Sequence, residues 1–318
     1  MSYLLILSDK IKIIVQRGIY MKKRICTVAM VFLMALIAIP AVYASGDHSA
    51  CATRYPVVLA HGMGATDDMF GFINYWWGIE SALEDEGADV YVTAVNCMDG
   101  TRDKAQQFRA QVLQILAITG AAKINVIGHS HGTIYTRDAI TNLGLSTRVA
   151  SHTSLCGPHR GSSAADVIVG VCGDVGGWLV GVTTDVIYSL LMGDSDPDSY
   201  DNAIAVTRPF MNNVFNPNTP NKSGIYYQSF ATKIKTITAD MVLEPTWLLI
   251  NFFEGDNDGL VSVNSAKWGN FRGVESGAWW CGGVSHINAI GHFFGVTPGF
   301  DASEWMVGIV NDLKNRGY

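Results

Sequence analysis

Apolar positions along this chain fall into short blocks separated by glycines and polar turns, and their spacing alternates between strand-like and helix-like periods. Tyr55 to Ala60 is a short apolar run that reads as a buried strand, ending in the glycine-bearing loop His61-Gly62-Met63-Gly64. A helix is predicted from Tyr75 to Glu86, stopped by Gly87, and a second strand from Asp89 to Val95. Phe108, Val112, Ile115 and Leu116 recur at helical spacing in a segment closed by Gly120. Ile124, Val126 and Ile127 are β-branched and lie in a short run, which predicts a strand; Thr133 to Leu143 then reads as a helix before Gly144. Val149 to Leu155 is a further strand. Strand–helix alternation of this kind predicts an α/β fold, a mainly parallel sheet with helices on both faces. Repeats and low-complexity tracts are absent.

Residues 160–200 break the alternation. The stretch from Asp166 is apolar yet dense in glycine, Asp185 to Met192 is apolar too, and Asp194-Ser195-Asp196-Pro197-Asp198 interrupts it. The segment reads either as core or as an apolar, mobile cap over a site; glycine at this density is poor material for rigid core helices, which favours the cap.

The N-terminal region changes the picture of what matures. Lys22-Lys23-Arg24 precedes an apolar run from Val28 to Ile39, then Pro40, with Val42 and Ala44 as small residues at the −3 and −1 positions. That predicts a cleavable signal peptide over 21–44 and a secreted, extracellular protein. The run is shorter than the roughly 20 residues a membrane span needs, so no transmembrane anchor is expected. Cys51 follows His48-Ser49-Ala50 rather than an apolar lipobox. Residues 1–20 lie upstream of a complete signal and are expected to be an upstream extension, with Met21 the true start.

Residues 45–318 then form one domain. Removing residues 1–44 takes six of the 22 lysines and arginines and one of the 28 acidic residues, moving the net charge from −6 to about −11. Such an acidic, evenly charged surface argues against nucleic acid as a partner. Cys51, Cys97, Cys156, Cys172 and Cys281 remain, an odd number, with no C-x-x-C pair of the zinc type and no connectivity legible in their spacing.

Chemistry concentrates at Gly128-His129-Ser130-His131-Gly132, between a predicted strand and a predicted helix. This fits a G-x-S-x-G nucleophile elbow, in which glycines let the helix approach the strand and the turn lifts the serine hydroxyl out of the sheet. The bland alternative, a glycine-rich turn that happens to hold a serine, is disfavoured by the strand before it and the helix after it. A serine nucleophile needs a base and an orienting acid, which follow in the order Ser, Asp/Glu, His in this architecture. Asp258 and His286 have that order, but Asn257-Asp258-Gly259 is also an ideal turn, and spacing alone barely separates the pair from Asp256 and His292. His159 and Arg160 read as structural groups of a turn ahead of the cap, and His129 as packing beside the elbow. The pairs Trp76-Trp77 and Trp279-Trp280 suit acyl chains or core packing alike.

Six stretches taken together resemble the Pseudomonas-type secreted bacterial triacylglycerol lipases, of the α/β-hydrolase superfamily. They are Pro56–Met63, Tyr75–Leu83, Gly87–Thr93, Gly128–Gly132, Gly157–Ser162 and Asn257–Val261, in family order across most of residues 45–318. The resemblance implies Ser130 as nucleophile, Asp258 as acid and His286 as base, with the backbone N–H groups of Met63 and His131 as oxyanion donors. It also implies that the apolar insertion, approximately 160–200, is a lid that opens at a lipid–water interface over a lipid ester. The family often holds a structural calcium near the catalytic histidine. Here the corresponding ligands are Glu244, Asn288, His292 and the backbone at Val296, and loss of an aspartate and a glutamine amide is expected to weaken the site. The family disulfide has no counterpart: Asn264 stands at one cysteine position and 219–225 lacks the other. The expectation is a triacylglycerol lipase; a short-chain carboxylesterase, an acyltransferase or a silent binding protein on the same fold are its competitors. Nothing in the residues specifies a folding chaperone.

Overall fold

Strand β1 (Val57–Ala60) is buried along its whole length, and its residues alternate between two cores. Val57 and Leu59 face one way, joining Trp76, Ile79, Leu83, Met306 and Val310. Val58 and Ala60 face the other way, joining Phe108, Val112, Tyr135 and Ile140. A strand apolar on both faces belongs at the centre of a sheet covered on both sides, which explains why its sequence reads as an unbroken apolar run.

The computed structural model describes residues 48–63, 68–69, 73–96, 99–170, 198–236, 240–292 and 297–318. They belong to the unit His48–Tyr318, which separates from Met1–Asp47. The signal segment 21–44 with the stretch before it, Cys97, Cys172, Val296 and most of the 160–200 insertion lie outside the described residues. Among the described residues no helix is long and apolar enough to cross a membrane.

After β1 come the short strands β2 (Asp68–Met69) and β3 (Ile73–Asn74), then helix α1 (Ile79–Asp85) and β4 (Val90–Thr93). Helix α2 (Thr101–Thr119) leads to β5 (Ile124–His129), α3 (Gly132–Asn142) and β6 (Val149–Leu155). α4 (Ser163–Ile168) lies within the insertion near its start, and α5 (Asp198–Ala205) begins at its end. β7 (Tyr226–Thr232), α6 (Glu244–Glu254), the short α7 (Val263–Ala266), β8 (Asn270–Glu275) and α8 (Ala302–Asn315) complete the set used below. The main sheet runs β4-β1-β5-β6-β7-β8, and every pairing is parallel. The predicted mainly parallel sheet flanked by helices is therefore the architecture observed.

The predicted helix 75–86 is shorter than expected. Gly78 adopts φ 70° and starts α1 only at Ile79, while Trp76 is fully buried ahead of it. At the other end of α2, Gly120 closes the helix in the left-handed region (φ 68°), as its position predicted.

Strand order reverses between β1 and β5: from β1 the chain goes out to β4, then returns to β5 on the opposite side. Open parallel sheets leave a crevice at such a switch point, beyond the carboxyl ends of the strands. Ala60 is in register with Gly128, so the loop after β1 and the turn after β5 emerge side by side.

Candidate active site

Ser130 immediately follows β5 and holds φ 55°, a left-handed conformation that L-residues rarely adopt. Its N–H donates to Leu155 O (2.9 Å), and its C=O accepts from the N–H of Thr133 (3.1 Å) and from Thr133 Oγ1 (2.8 Å). The turn is tight because its flanking glycines carry no side chain. A Cβ on Gly132 would lie 2.2 Å from Ala60 O, and one on Gly128 would lie 2.8 Å from Thr133 N. The loop after β1 rests directly on the serine, since a Cβ on Gly62 would lie 2.8 Å from Ser130 Cβ.

That loop is pinned by His61. Its Nε2 accepts from Val95 N–H (3.0 Å), so Nδ1 carries the proton and donates to Gly62 O (2.9 Å). Tyr135 Oη donates to His61 O (2.9 Å). The amides of Met63 and His131 lie on the two loops beside Ser130, and among the described residues neither donates to a backbone carbonyl. The His131 ring is buried, with Nε2 2.9 Å from Thr101 Oγ1 and Nδ1 3.4 Å from Lys104 Nζ. Burial first, and then the Lys104 charge, hold its pKa well below 6.5, so the ring is neutral.

Asp258 and His286 are brought together at 2.8 Å, Oδ2 to Nδ1, with both side chains buried. Asp258 Oδ1 accepts from the N–H groups of Leu260 (3.0 Å) and Val261 (2.8 Å), so the residue is an Asx-turn aspartate and a histidine partner at once. Its carbonyl also accepts the His286 N–H (2.9 Å). In the neutral ring, with Nδ1 donating to the carboxylate, Nε2 carries the lone pair. That nitrogen is buried and has no hydrogen-bond partner. No hydrogen bond joins it to Ser130 Oγ, although the His129 ring, on the residue before Ser130, lies 4.5 Å from the His286 ring between centroids.

The rivals from sequence go elsewhere. Asp256 is 63% exposed and pairs with Lys233 at 2.7 Å. His292 directs Nε2 to Tyr75 O (3.0 Å), which can only accept. His159 sits between Ser154 Oγ (2.7 Å) and Arg137 (3.1 Å), stacked on Trp268. Arg160 donates to the carbonyls of Asn264 and Lys267. The tryptophan pairs divide: Trp76 is core, whereas Trp279 is 90% and Trp280 64% exposed.

Sequence reasoning missed Cys156. It is free, as are Cys51 and Cys281, and holds φ 51°, with Sγ 3.3 Å from Thr232 Oγ1. Burial, then the Asp258 charge, push its thiol well above the usual range, so it is protonated. Cys156, His129 and His286 place ligand atoms within 4.8 Å of one another. A metal there would need that thiolate and would consume the only lone pair of His286. Only the positive φ marks the position, and sequence does not display it.

The residues implied for calcium do not fit the ion. Asn288 Oδ1 accepts from Ser285 Oγ (2.9 Å), and Nδ2 donates to His292 O (3.2 Å). Together with the His292 ring bonded to Tyr75 O, these side chains are neutral and staple their own loop. Calcium requires six to eight oxygens, preferably anionic. Glu244, in the first turn of α6, supplies the only carboxylate of that set, and Val296 lies outside the described residues.

Comparison with known proteins gives one family match, two relatives and two similar solved structures. Residues 56–228 match the family model described as palmitoyl protein thioesterase. The chain is 41% identical over 138 residues to a triacylglycerol lipase of Burkholderia plantarii, covering 42% of this chain and 37% of that one. It is 39% identical over 155 residues to a triacylglycerol lipase of Vibrio cholerae, covering 48% of each. These matches span less than half the length of the curated relatives. Among solved structures, the mature lipase of Bacillus licheniformis aligns with a TM-score of 0.57 at 22% identity, over 77% of this chain and 90% of that one. A metagenomic carboxyl esterase aligns with a TM-score of 0.62 at 15% identity, over 82% and 76%. At these identities the structural likeness speaks for the fold.

Proposed function

This chain belongs to the family described by the palmitoyl protein thioesterase model, on the α/β-hydrolase fold, and from that premise we propose a serine carboxylic-ester hydrolase whose substrate is a triacylglycerol. The observation that carries the reading is His286: Nδ1 bound to Asp258, Nε2 buried with an unused lone pair, beside a serine on a strained turn. In this reading His286 Nε2 takes the Ser130 proton as Oγ attacks the ester carbonyl. Asp258 fixes the tautomer and stabilises the imidazolium. The carbonyl oxygen becomes an oxyanion held by the Met63 and His131 amides, and loss of one such donor typically costs about 10²–10³ in turnover. The proton passes to the leaving alcohol, an acyl-enzyme on Ser130 forms, and His286 then activates water to release the fatty acid.

Two features support a lipid ester over a small soluble one. The relatives from Burkholderia plantarii and Vibrio cholerae are named triacylglycerol lipases, and Trp279 and Trp280 stand in solvent as amphipathic rings of the kind that settle at lipid–water interfaces. A second reading comes from the family model's own description, hydrolysis of a palmitoyl thioester. Both substrates present a long acyl chain to the same nucleophile. Export through the 21–44 signal completes the proposal, and N-terminal sequencing of secreted protein is expected to begin at Ser45.

The test is hydrolysis of emulsified triglyceride, a soluble butyrate ester and palmitoyl thioester by wild type and Ser130→Ala. The expected result is a triglyceride rate that climbs sharply above the solubility limit and falls about 10⁶-fold in the variant. Saturation below that limit would identify a soluble-ester esterase instead. Activity in Ser130→Ala above a hundredth of wild type would sink the nucleophile assignment.

A further inference from the structure

Three separate loops supply the reacting groups in the proposed site, and a buried tyrosine–histidine pair touches all three. Gly62, next to the oxyanion donor Met63, directs its N–H to Tyr75 Oη at 2.9 Å. Tyr75 Oη lies 2.6 Å from His129 Nδ1, and His129 Nε2 lies 3.1 Å from the carbonyl oxygen of His286. Tyr75 and His129 are 4% and 1% exposed.

Donor and acceptor counting fixes the direction of every bond. The Gly62 N–H can only donate, so Tyr75 Oη accepts it. The His286 carbonyl can only accept, so His129 Nε2 carries a proton. Burial, above all, and then the neighbouring His286 hold the His129 pKa well below 6.5, so the ring is neutral and Nδ1 has a lone pair. Tyr75 therefore donates its hydroxyl proton to Nδ1. The chain runs one way, from Gly62 N–H through Tyr75 O–H and His129 N–H to the carbonyl of His286.

We infer that Tyr75 and His129 are positioning residues that clamp the oxyanion loop, the nucleophile turn and the base loop into one catalytic geometry. This rests on the reading of Ser130, Asp258 and His286 given above. An apolar pair of the same size would fill the same volume, whereas two buried polar groups are retained here with each bond to the next satisfied. Their partners are also specific. One is the amide beside the oxyanion donor, one is the main chain of the base itself, and His129 adjoins the nucleophile. Loss of such registration costs reaction rate more than substrate affinity, because misplacement near 1 Å is worth about 10² in rate.

The test compares Tyr75→Phe, His129→Leu and His129→Gln with wild type and Ser130→Ala. Glutamine can accept from Tyr75 through its oxygen and donate to His286 O through its nitrogen; leucine can do neither. Tyr75→Phe and His129→Leu are expected to lower kcat about 10- to 100-fold with KM within about threefold. Their affinity for a trifluoromethyl ketone, which mimics the tetrahedral oxyanion, should fall by the same factor. His129→Gln is expected to recover at least about tenfold over leucine. Wild-type kcat in folded Tyr75→Phe, or glutamine no better than leucine, overturns the clamp while the triad reading stands. If His129→Leu does not fold, the near-isosteric Tyr75→Phe decides alone. Full activity in Ser130→Ala overturns the triad reading and the clamp together.

Discussion

Ser130 and Cys156 are the two non-glycine residues with positive φ among those described, and each directly follows one of two adjacent parallel strands. A non-glycine residue in this region gives up roughly 1–2 kcal/mol, a cost that marks positions where side-chain placement matters more than backbone comfort. The elbow serine was legible because glycine, serine and glycine at fixed spacing between strand and helix encode it. Choosing the acid was harder, because Asp256 and Asp258 share one turn and differ only in side-chain direction. In the structure one meets Lys233 in solvent and the other meets His286 in the interior. Asp258→Asn is therefore expected to lower kcat about 10⁴-fold, because an amide no longer holds the productive tautomer. Asp256→Asn should stay within about twofold, its exposed ion pair being worth little. Steady-state kinetics on both variants checks the assignment. Sequence placed Tyr75 in a stretch that carries the family resemblance but gave no sign of its bond to His129, because the two are 54 positions apart in the chain.

At the scale of elements, periodicity located β1, β5, β6, α2 and α3 because their apolar residues repeat cleanly against one core or the other. β8 was not legible. It is an edge strand whose residues are at best half-buried, with Arg272 and Gly273 breaking any alternation. The glycines of the elbow are structural necessities of two packed elements, not of the serine. Gly132→Ala would force a Cβ onto the backbone oxygen of Ala60, which cannot yield without moving β1. The expected cost exceeds about 3 kcal/mol, read as a lower urea midpoint or as loss of soluble protein. The loop from Ser285 to His292 shows the reverse situation: resemblance implies only a weakened calcium site there, and Asn288, one of its implied ligands, is engaged in hydrogen bonds within the loop. A chelator is accordingly expected to leave both melting temperature and hydrolysis unchanged; a fall in either would restore the ion.

Across the whole molecule, buried neutral histidines set the acid limit of stability. His129, His131 and His159 have pKa values held well below 6.5 by burial first, and His152 is lowered to about 3. Between these values and 6.5 the unfolded chain binds more protons than the folded one, so stability is present above pH 6.5 and is lost as pH falls. Each histidine contributes a loss on the order of 1 kcal/mol by pH 5.5, visible as a drop in urea-unfolding free energy. The exposed tryptophans act at the same scale. Trp279→Ser with Trp280→Ser is expected to reduce hydrolysis of emulsified triglyceride about tenfold while sparing a soluble butyrate ester, a loss of the size expected for removing two interfacial rings. Strand order and the position of the switch point were not written in any local pattern, because they depend on which strands pair. That pairing is what sets the loop of His61 beside Ser130. The most direct test of the serine machinery is labelling with a fluorophosphonate followed by peptide mass analysis. One stoichiometric adduct on Ser130, absent from Ser130→Ala and much slower in His286→Ala, is the predicted result. No adduct, or one that survives Ser130→Ala at the wild-type rate, would contradict it.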